Sequence, residues 1–233
     1  MSESLSLGLL CYNDAATIGS LVKGLDETAR RTRRSYEILV TDDGSTDGSR
    51  EVLASLQKEI PALRVILHDK NKGYGAAVRS VFEAAQNDLV FYTDGDGQYD
   101  VREFPKLLSL MKDGTGFVNG CKEKRSDPFY RVGIGTAYQA VLRRIFKYRT
   151  KDLTCDFRLI RRKALRSFSL QASSGAICLE LVSRLERAGF RGVDCPVTHS
   201  SRRHGKSQYF NFPRLLETLR EILWLQKSLK GPA

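Results

Sequence analysis

The stretch Leu89-Val90-Phe91-Tyr92-Thr93-Asp94-Gly95-Asp96-Gly97-Gln98 joins a short apolar run to a cluster of oxygen-bearing side chains. The apolar run predicts a buried strand. Because alternate side chains of an extended chain point the same way, we expect Asp94, Asp96 and Gln98 to present oxygens to one point, with glycines leaving the backbone open between them. Divalent cations prefer such oxygens, and Mg²⁺ usually shares them with substrate phosphates. The stretch therefore predicts a metal site that holds a nucleotide diphosphate.

Apolar runs alternate with amphipathic stretches along the rest of the chain, which indicates βαβ units and a mainly parallel sheet flanked by helices. Strands are predicted over residues 5–10, 36–41, 63–67, 89–92, 116–121, 157–160 and 191–197. Helices are predicted over 15–29, from a cap at Ser45 or Thr46 to 59, from the glycine-rich loop 71–75 to 86, over 132–148 and over 174–188. The predicted fold class is α/β, with one domain over residues 1–212.

The last segment, residues 213–233, is predicted to be a basic amphipathic helix. Its apolar side chains recur at helical spacing, namely Leu215, Leu216, Leu219, Ile222, Leu223 and Leu229. A tryptophan at Trp224 and interspersed arginine and lysine residues suit a membrane interface. The alternative is that the stripe packs on the chain's own domain, as most amphipathic helices do.

The composition predicts an anionic partner and a reduced chain. The net charge of +11 suits a phosphate-rich substrate, an acidic membrane surface or nucleic acid. The 5 cysteines are scattered and form no C-x-x-C pair, which argues against a disulfide framework and a zinc site and fits the cytoplasm. No basic signal-peptide region and no membrane-spanning apolar run stand out. We therefore expect a protein that touches the cytoplasmic face of a membrane without crossing it.

A polar cluster follows each of the first four predicted strands: Tyr12-Asn13-Asp14, Asp42-Asp43, residues 69–74 and residues 94–98. In a parallel sheet these clusters lie at one edge, where ligands bind. Each has a plainer interpretation. Asp42-Asp43-Gly44-Ser45 is also typical of a turn, Asn13-Asp14 of a helix cap, and Lys72 of a solvated charge. A candidate site at the carboxyl edge follows from the set as a whole.

The ordered set resembles family-2 glycosyltransferases with the GT-A fold, and within them the dolichol- or polyprenyl-phosphate sugar transferases. The matching segments are Tyr12-Asn13-Asp14, Asp42-Asp43-Gly44-Ser45-Thr46-Asp47-Gly48, Asn71-Lys72-Gly73-Tyr74-Gly75-Ala76-Ala77, Asp94-Gly95-Asp96-Gly97-Gln98 and Arg202-Arg203-His204-Gly205-Lys206-Ser207. They span nearly the whole chain in the family's order. The resemblance implies a nucleotide-diphosphate sugar donor, a lipid phosphate acceptor and Mg²⁺ or Mn²⁺.

The resemblance also implies roles for individual residues. The nucleotide-sugar side comprises Tyr12, Asn13, Asp14, Asp42, Asp43, Lys72 and Asp94. The metal side comprises Asp96, Gln98 and Asp94, and the acceptor phosphate side comprises Lys122, Arg131, Arg202 and Ser207. Catalytic roles fall on Asp94, Asp96, Arg131 and Arg202. The chain departs from the family at Leu10, Asp14, Lys122 and Cys155-Asp156-Phe157, where Pro, Glu, Arg and Ser-Gly-Phe are usual, and these changes bear on the identity of the sugar and acceptor.

The predicted reaction is a metal-dependent, inverting transfer of one sugar to a polyprenyl phosphate. The alternative is transfer to a hydroxyl, which needs a carboxylate base. Asp152, Asp156 and Glu180 are the candidates, and each is also expected to be structural: the first two as partners of Arg158 or Arg161, the third on a helix face. A nucleic-acid binder is disfavoured because acidic residues crowd the expected cleft. The membrane anchor is either the C-terminal helix or a partner protein.

Overall fold

A computed structural model describes residues 2–123, 139–202 and 212–229, with side chains in the last segment from residue 216. The strands are β1 Leu5–Cys11, β2 Tyr36–Asp42, β3 Leu63–Leu67, β4 Leu89–Asp94, β5 Thr115–Lys122, β6 Phe157–Arg161 and β7 Arg191–Val197. The helices are α1 Ala15–Arg31, α2 Ser49–Glu59, α3 Tyr74–Ala84, α4 Phe104–Leu110, α5 at 139–146, α6 Arg162–Leu165, α7 Ala176–Arg187 and α8 Phe212–Ser228. The predicted Arg131 and Ser207 lie outside the described residues.

The strands form one 7-stranded sheet in the order β3-β2-β1-β4-β6-β5-β7. All neighbouring pairs are parallel except those of β6, which runs antiparallel to both β4 and β5. The predicted α/β class with a mainly parallel sheet is confirmed. The reversed β6 brings its first residues beside the last residues of β4, with Phe157 opposite Thr93.

Helices cover both faces of the sheet, so the central strands are apolar on both sides. In β4, Leu89 and Phe91 belong to one buried cluster with α1, α2 and α4, while Val90 and Tyr92 belong to the other with α3 and α7. This alternation extends to the strand end, and it places Asp94 on the same face as Tyr92.

Helix starts account for most differences from the predicted elements. The predicted cap at Ser45 or Thr46 is wrong: α2 begins at Ser49, after Gly48 with a φ of 94°, and the two hydroxyl residues stay in the loop. Helix α4 and the preceding 3₁₀ turn Val101–Glu103 were not predicted, nor was the short α6. Of the helix predicted over 132–148, residues 139–146 are described and helical, and Lys147 ends them with a φ of 56°.

Helix α8 is apolar on two sides. Ile222 and Leu225, together with Leu229 directly after the helix, are buried in the second cluster, beside α7. A second row is exposed, with relative exposures of 40% for Leu216, 46% for Leu219, 59% for Leu223 and 39% for Trp224. The helix thus packs on its domain and still presents an apolar surface. Within the described residues, no helix is both long enough and apolar enough to span a bilayer.

Candidate active site at the carboxyl edge of the sheet

Asp47 and Asn13 fasten the loops after β1 and β2 together. The carboxylate of Asp47 accepts hydrogen bonds from the backbone N–H of Ala15 (2.9 Å) and of Ser49 (3.0 Å), so it holds the first residues of α1 and α2. Burial alone would raise the pKa of Asp47, but these hydrogen bonds hold it below the usual value. Asn13 accepts a hydrogen bond from the N–H of Thr46 at 2.8 Å, so its carboxamide oxygen is engaged by the loop.

The adjacent carboxylates Asp42 and Asp43 are both buried but have different partners. Oδ1 of Asp42 accepts from Arg50 Nε (2.8 Å), while its Oδ2 is shut off from solvent and has no hydrogen-bond partner among the described residues. Asp43 accepts from the N–H of Lys72 (2.8 Å) and of Gly73 (3.0 Å), and lies 2.7 Å from His68 Nδ1. Asp43 therefore positions the glycine-rich loop, while Asp42 pairs with Arg50 through one oxygen.

The glycine-rich loop requires glycine at two close approaches. At Gly44, φ is +79° and an added Cβ would lie 2.5 Å from the backbone N of Asn71. At Gly75, an added Cβ would lie 2.1 Å from the carbonyl oxygen of Ala172. The loops after β2 and β3 and the segment before α7 therefore meet backbone to backbone. The side chain of Lys72 is exposed at this junction.

An acidic cluster lies where β1 and β4 end. Burial, together with repulsion from Asp96, raises the pKa of Asp14 to about 6, although Tyr12 N–H and Arg202 pull it down. The pKa of Asp94 is raised well above its usual value, first by burial and then by Asp156 and Asp96. Oδ1 of Asp94 is also shut off from solvent with no hydrogen-bond partner among the described residues. These carboxylates are crowded, and the crowding favours a cation.

A guanidinium group bridges this cluster. Nη2 of Arg202 lies 3.2 Å from Asp96 Oδ2 and 3.6 Å from Asp14 Oδ1. Gln98 supports the segment before Arg202, because its Nε2 donates to the carbonyl oxygen of Ser200 at 3.0 Å and its backbone carbonyl accepts from Ser200 N at 2.8 Å. The structure thus brings Asp14, Asp96, Gln98 and Arg202 together, as the sequence predicts.

The carboxylates fit a divalent cation whose coordination is completed by a ligand. Over residues 2–123, 139–202 and 212–229, no three His, Cys, Asp or Glu side chains form a ready-made metal cage. Mg²⁺ is usually held by one or two carboxylates together with substrate phosphates, so a full protein cage is not expected. The partnerless Oδ1 of Asp94 and the raised pKa of Asp14 suit this arrangement, since a bound cation would stabilise both ionised groups.

The three candidate bases have different hydrogen-bond partners in the structure. Asp152 accepts from Gln139 Nε2 (3.1 Å) and Thr154 N (3.1 Å), so it holds the turn before Thr154. Glu180 accepts from the N–H groups of Gln171 and Ala172, at 2.9 and 2.8 Å, and from Arg184 Nε at 2.8 Å.

Asp156 differs from both, because its contacts with the described residues are to side chains. Its Oδ1 lies 2.9 Å from Cys178 Sγ and 3.5 Å from Arg158 Nη1, which confirms the arginine partner expected for it. Lys122, which is predicted to meet the acceptor phosphate, donates from Nζ to the carbonyl oxygen of Thr154 at 2.9 Å. Of the three candidate bases, Asp156 is therefore the one without a backbone N–H partner among the described residues.

Sequence reasoning missed several residues of this edge. Thr17 Oγ1 donates to the carbonyl oxygen of Gly95 at 2.6 Å, which ties α1 to the loop between the two acidic residues. The phenol oxygen of Tyr74 is shut off from solvent and lies close enough to the Asp94 carboxyl to oppose the rise in its pKa. The closeness of Asp156 to Asp94 depends on the reversed strand β6, and the sequence carries no signal for that pairing.

Comparisons with known proteins agree with this geometry. The family model for glycosyl transferase family 2 matches residues 6–168. An undecaprenyl-phosphate 4-deoxy-4-formamido-L-arabinose transferase of Pseudomonas paraeruginosa is 27% identical over 224 residues, covering 95% of this chain and 64% of the relative. The same-named protein of Salmonella choleraesuis is 24% identical over 222 residues, covering 95% and 67%. The chain thus spans about two thirds of the length of these curated relatives.

Solved structures show the same fold at low identity. A mannosyltransferase from Pyrobaculum calidifontis, in complex with GDP-Man and Mn²⁺, superposes with a TM-score of 0.72 at 18% identity, covering 100% of this chain and 66% of that one. Glucosyl-3-phosphoglycerate synthase from Mycobacterium tuberculosis, with Mn²⁺, UDP and phosphoglyceric acid, gives 0.74 at 18% identity, covering 100% and 80%. The GT-A fold is confirmed, and the chain belongs to glycosyl transferase family 2.

Proposed function

We propose that this chain is a metal-dependent, inverting glycosyltransferase that moves a single sugar from a nucleotide-diphosphate sugar to a polyprenyl phosphate. The observation that carries the proposal is the acidic edge itself. There, Asp42 Oδ2 and Asp94 Oδ1 are both buried and lack partners in the described chain, beside Asp14 and Asp96. The names of the relatives and the Mn²⁺ in the superposed structures support the acceptor and the metal.

The buried acceptor atoms suit a donor nucleotide. We assign Asp42 Oδ2 as the acceptor of a hydrogen bond from the base or ribose, because its other oxygen is already held by Arg50. Asp94 and Asp96 would hold Mg²⁺ or Mn²⁺, and a cation bound there stabilises the negative charge that grows on the departing diphosphate. Arg202 lies at the same edge and supplies a positive charge for phosphate oxygens.

A phosphate acceptor removes the need for a general base. The second pKa of a phosphate monoester is about 6, so its oxygen is already a nucleophilic anion at neutral pH. Direct attack forms a bond from that oxygen to the anomeric carbon as the bond to the diphosphate breaks, which inverts the configuration. Lys122, Arg202, and the undescribed Arg131 and Ser207 are the proposed acceptor-side residues.

The exposed row of α8 supports a position at the cytoplasmic surface of a membrane. Leu219 and Leu223 are exposed beside the exposed cations Arg220 and Lys227, which suits an interfacial helix on anionic lipid. In this proposal residues 1–212 bind the donor and residues 213–233 contact the bilayer. A partner protein that anchors the chain is compatible with the same arrangement, and nucleic acid is no part of it.

Two measurements test the proposal. Unfolding temperatures with UDP or GDP, each with and without Mn²⁺, should rise only when nucleotide and metal are both present, because ligands stabilise the state that binds them. The sugar donor of the nucleotide that stabilises the protein is then supplied in radiolabelled form. It should label a polyprenyl phosphate in the organic phase, and mild acid should release the label. Label that enters only a water-soluble acceptor would contradict the proposed acceptor.

The second candidate is transfer to a hydroxyl, and Asp156 is the observation in its favour. Within residues 2–123, 139–202 and 212–229 it is the one candidate base whose carboxylate accepts from no backbone N–H group, and it lies beside Asp94. A hydroxyl must lose its proton during transfer, so a nearby carboxylate is required. Labelling of a saccharide alcohol, with none of the polyprenyl phosphate, would favour this candidate.

A further inference from the structure

A cavity between α1 and α4 is lined by three arginines, and we call it the basic cavity. Its volume is about 480 Å³. Arg31 ends α1, Arg34 follows in the next turn, and Arg102 belongs to the 3₁₀ turn before α4. Within the described chain, no aspartate or glutamate lines this cavity. Because small-molecule sites measure roughly 300–1,000 Å³, there is room for a small anionic ligand.

The basic cavity lies away from both surfaces discussed so far. Helices α1 and α4 belong to the buried cluster on one face of the sheet, whereas Ile222 and Leu225 of α8 belong to the cluster on the other face. Along α1, Arg31 is the last of 17 residues, and Ala15, at the carboxyl edge, is the first. At 1.5 Å per residue these two residues lie about 24 Å apart. Neither the proposed donor site nor the proposed membrane contact therefore explains these arginines.

Carboxylates near the basic cavity are engaged outside it. Asp26 lies 2.9 Å from Nε of Arg30, which is the neighbour of Arg31 but does not line the cavity. The carboxylate of Glu3 pairs with Arg161. Arg34 receives only the backbone carbonyl of Glu3, to which its Nη1 donates at 3.1 Å. The positive charge of the cavity is thus not neutralised from these positions.

The other two arginines also keep hydrogen-bond donors for a ligand. Glu27 precedes Arg31 by one helical turn but does not line the cavity. Nη1 of Arg102 lies 4.0 Å from Asp100 Oδ1, which is too far for a hydrogen bond. That oxygen instead accepts from the backbone N–H of Arg102 at 3.0 Å. A guanidinium carries five N–H donors in a planar fork that matches phosphate oxygens, so most of these donors remain for a ligand.

The hydroxyl groups of the cavity are already used as donors. Thr28, Thr32 and Ser109 each donate to a carbonyl oxygen three or four residues earlier, at 2.6, 2.7 and 2.7 Å. Their oxygens can still accept a hydrogen bond, but their hydrogens are committed. An anion in this cavity would therefore be bound by the arginines.

We propose that the basic cavity is a binding site for a soluble ligand that carries a phosphate group. Arg31 and Arg34 contact the phosphate, and Arg102 adds positive charge from the side of α4. A lipid headgroup offers the same chemistry, but the exposed row of α8 lies on the other face of the sheet, so a bilayer that contacts α8 does not also cover this cavity. The site goes beyond the proposed function, because neither the donor nor the acceptor occupies it.

The test is titration calorimetry with inorganic pyrophosphate, in EDTA and without nucleotide, so that a metal-dependent donor site stays unoccupied. Arg31→Gln and Arg34→Gln each remove a charge-assisted contact and should bind pyrophosphate roughly tenfold more weakly than the unmodified chain. Arg33→Gln is the matched control, because this arginine is exposed in the same basic run but does not line the cavity. Its affinity for pyrophosphate should be unchanged.

Two further measurements separate this site from a structural role and from the carboxyl edge. Arg31→Gln should keep the unfolding temperature of the unmodified chain, and it should bind UDP or GDP with Mn²⁺ as the unmodified chain does. Arg202→Gln, at the carboxyl edge, should bind pyrophosphate without metal as the unmodified chain does. A lower unfolding temperature together with weaker nucleotide binding in Arg31→Gln would show a structural role instead.

Three results would overturn the proposal. An equal loss of pyrophosphate affinity in Arg33→Gln would show unspecific attraction to the basic run. A loss in Arg202→Gln, with none in Arg31→Gln, would place the anion at the carboxyl edge. Cosedimentation with phosphatidylglycerol vesicles that falls in Arg31→Gln, without pyrophosphate binding by the unmodified chain, would make the arginines a lipid contact. Unchanged cosedimentation together with the tenfold loss for pyrophosphate supports a soluble ligand.

Discussion

Replacing Arg202 by glutamine should strengthen Mn²⁺ binding to the nucleotide-free protein. The guanidinium lies 3.2 Å from Asp96 and 3.6 Å from Asp14, so it already neutralises the carboxylates that a cation would use. Arginine and metal therefore compete for the same oxygens. Removing the arginine removes the competitor, while Arg202→Gln retains a polar side chain of similar reach.

The size of the effect follows from distance and exposure. Two unit charges at these distances attract by about 5 kcal/mol at an effective dielectric of about 20. The arginine side chain is 24% exposed, and the desolvation of both partners cancels much of that attraction. Hydrogen bonds to charged groups contribute about 1.5–3 kcal/mol net, and we take the lower end. Since about 1.4 kcal/mol is tenfold in affinity, Mn²⁺ should bind about tenfold more tightly.

Free Mn²⁺ can be followed by electron paramagnetic resonance during titration, without nucleotide and without turnover. Arg102→Gln is the matched control, because that arginine is 68% exposed and lies 4.0 Å from Asp100. Its affinity for Mn²⁺ should equal that of the unmodified chain. An affinity of Arg202→Gln that is unchanged or weaker would refute the idea that the arginine occupies the cation's place. Raising the salt concentration should shrink the difference between the two variants.

Four further outcomes are expected. Asp96→Asn should fold normally and lose roughly 10²–10³ in donor turnover, because one charged contact to the metal is removed; near-normal turnover would rule out its role. The pKa of Asp14 is raised from 3.8 to about 6, so its ionisation lowers the stability of the free protein increasingly as pH rises through that window, by up to roughly 3 kcal/mol. Denaturant unfolding should therefore show Asp14→Asn gaining stability over the parent between about pH 4 and pH 6, and a constant difference across that range would contradict the shift. Gly75→Ala should lower the free energy of unfolding by about 3 kcal/mol in the same assay, because the added Cβ would lie 2.1 Å from a carbonyl oxygen. Gly114→Ala has open space around the added Cβ but a φ of +81°, so it should lower the free energy of unfolding by only about 1 kcal/mol. Leu219→Glu should reduce cosedimentation with phosphatidylglycerol vesicles at an unchanged unfolding temperature, since that side chain is 46% exposed; unchanged cosedimentation would exclude it from the membrane contact.

The central strands were predictable because both of their faces are buried. Residues 89–92 form a continuous apolar run, and the carboxylates begin where the strand ends at Asp94. Parallel topology then places the loops after β1, β2 and β4 at one edge. That reasoning brings Asp14, Asp42 and Asp96 to one region of the molecule, and the structure agrees.

Features decided by pairing between distant segments were not predictable. The sequence predicts a strand near Phe157 but not its direction, and only the antiparallel direction sets Asp156 beside Asp94. The start of α2 was misjudged because Ser45 is engaged elsewhere: its Oγ accepts from Asn13 N at 2.9 Å, and its N–H donates to Asp42 Oδ1 at 3.1 Å. Tertiary hydrogen bonds thus overrode a local capping preference.

The carboxylate of Glu221 connects α8 to the glycine-rich loop at the carboxyl edge of the sheet. Glu221 accepts from the N–H groups of Ser173 and Ser174, at 2.7 and 3.0 Å, and the carbonyl of Ser173 accepts from Gly75 N at 2.8 Å. Hydrogen bonds through Ser173 and Gly75 thus connect α8 to the glycine-rich loop that Asp43 holds. A tilt of α8 against its domain is therefore expected to disturb that loop, which couples the proposed membrane contact to the proposed nucleotide site.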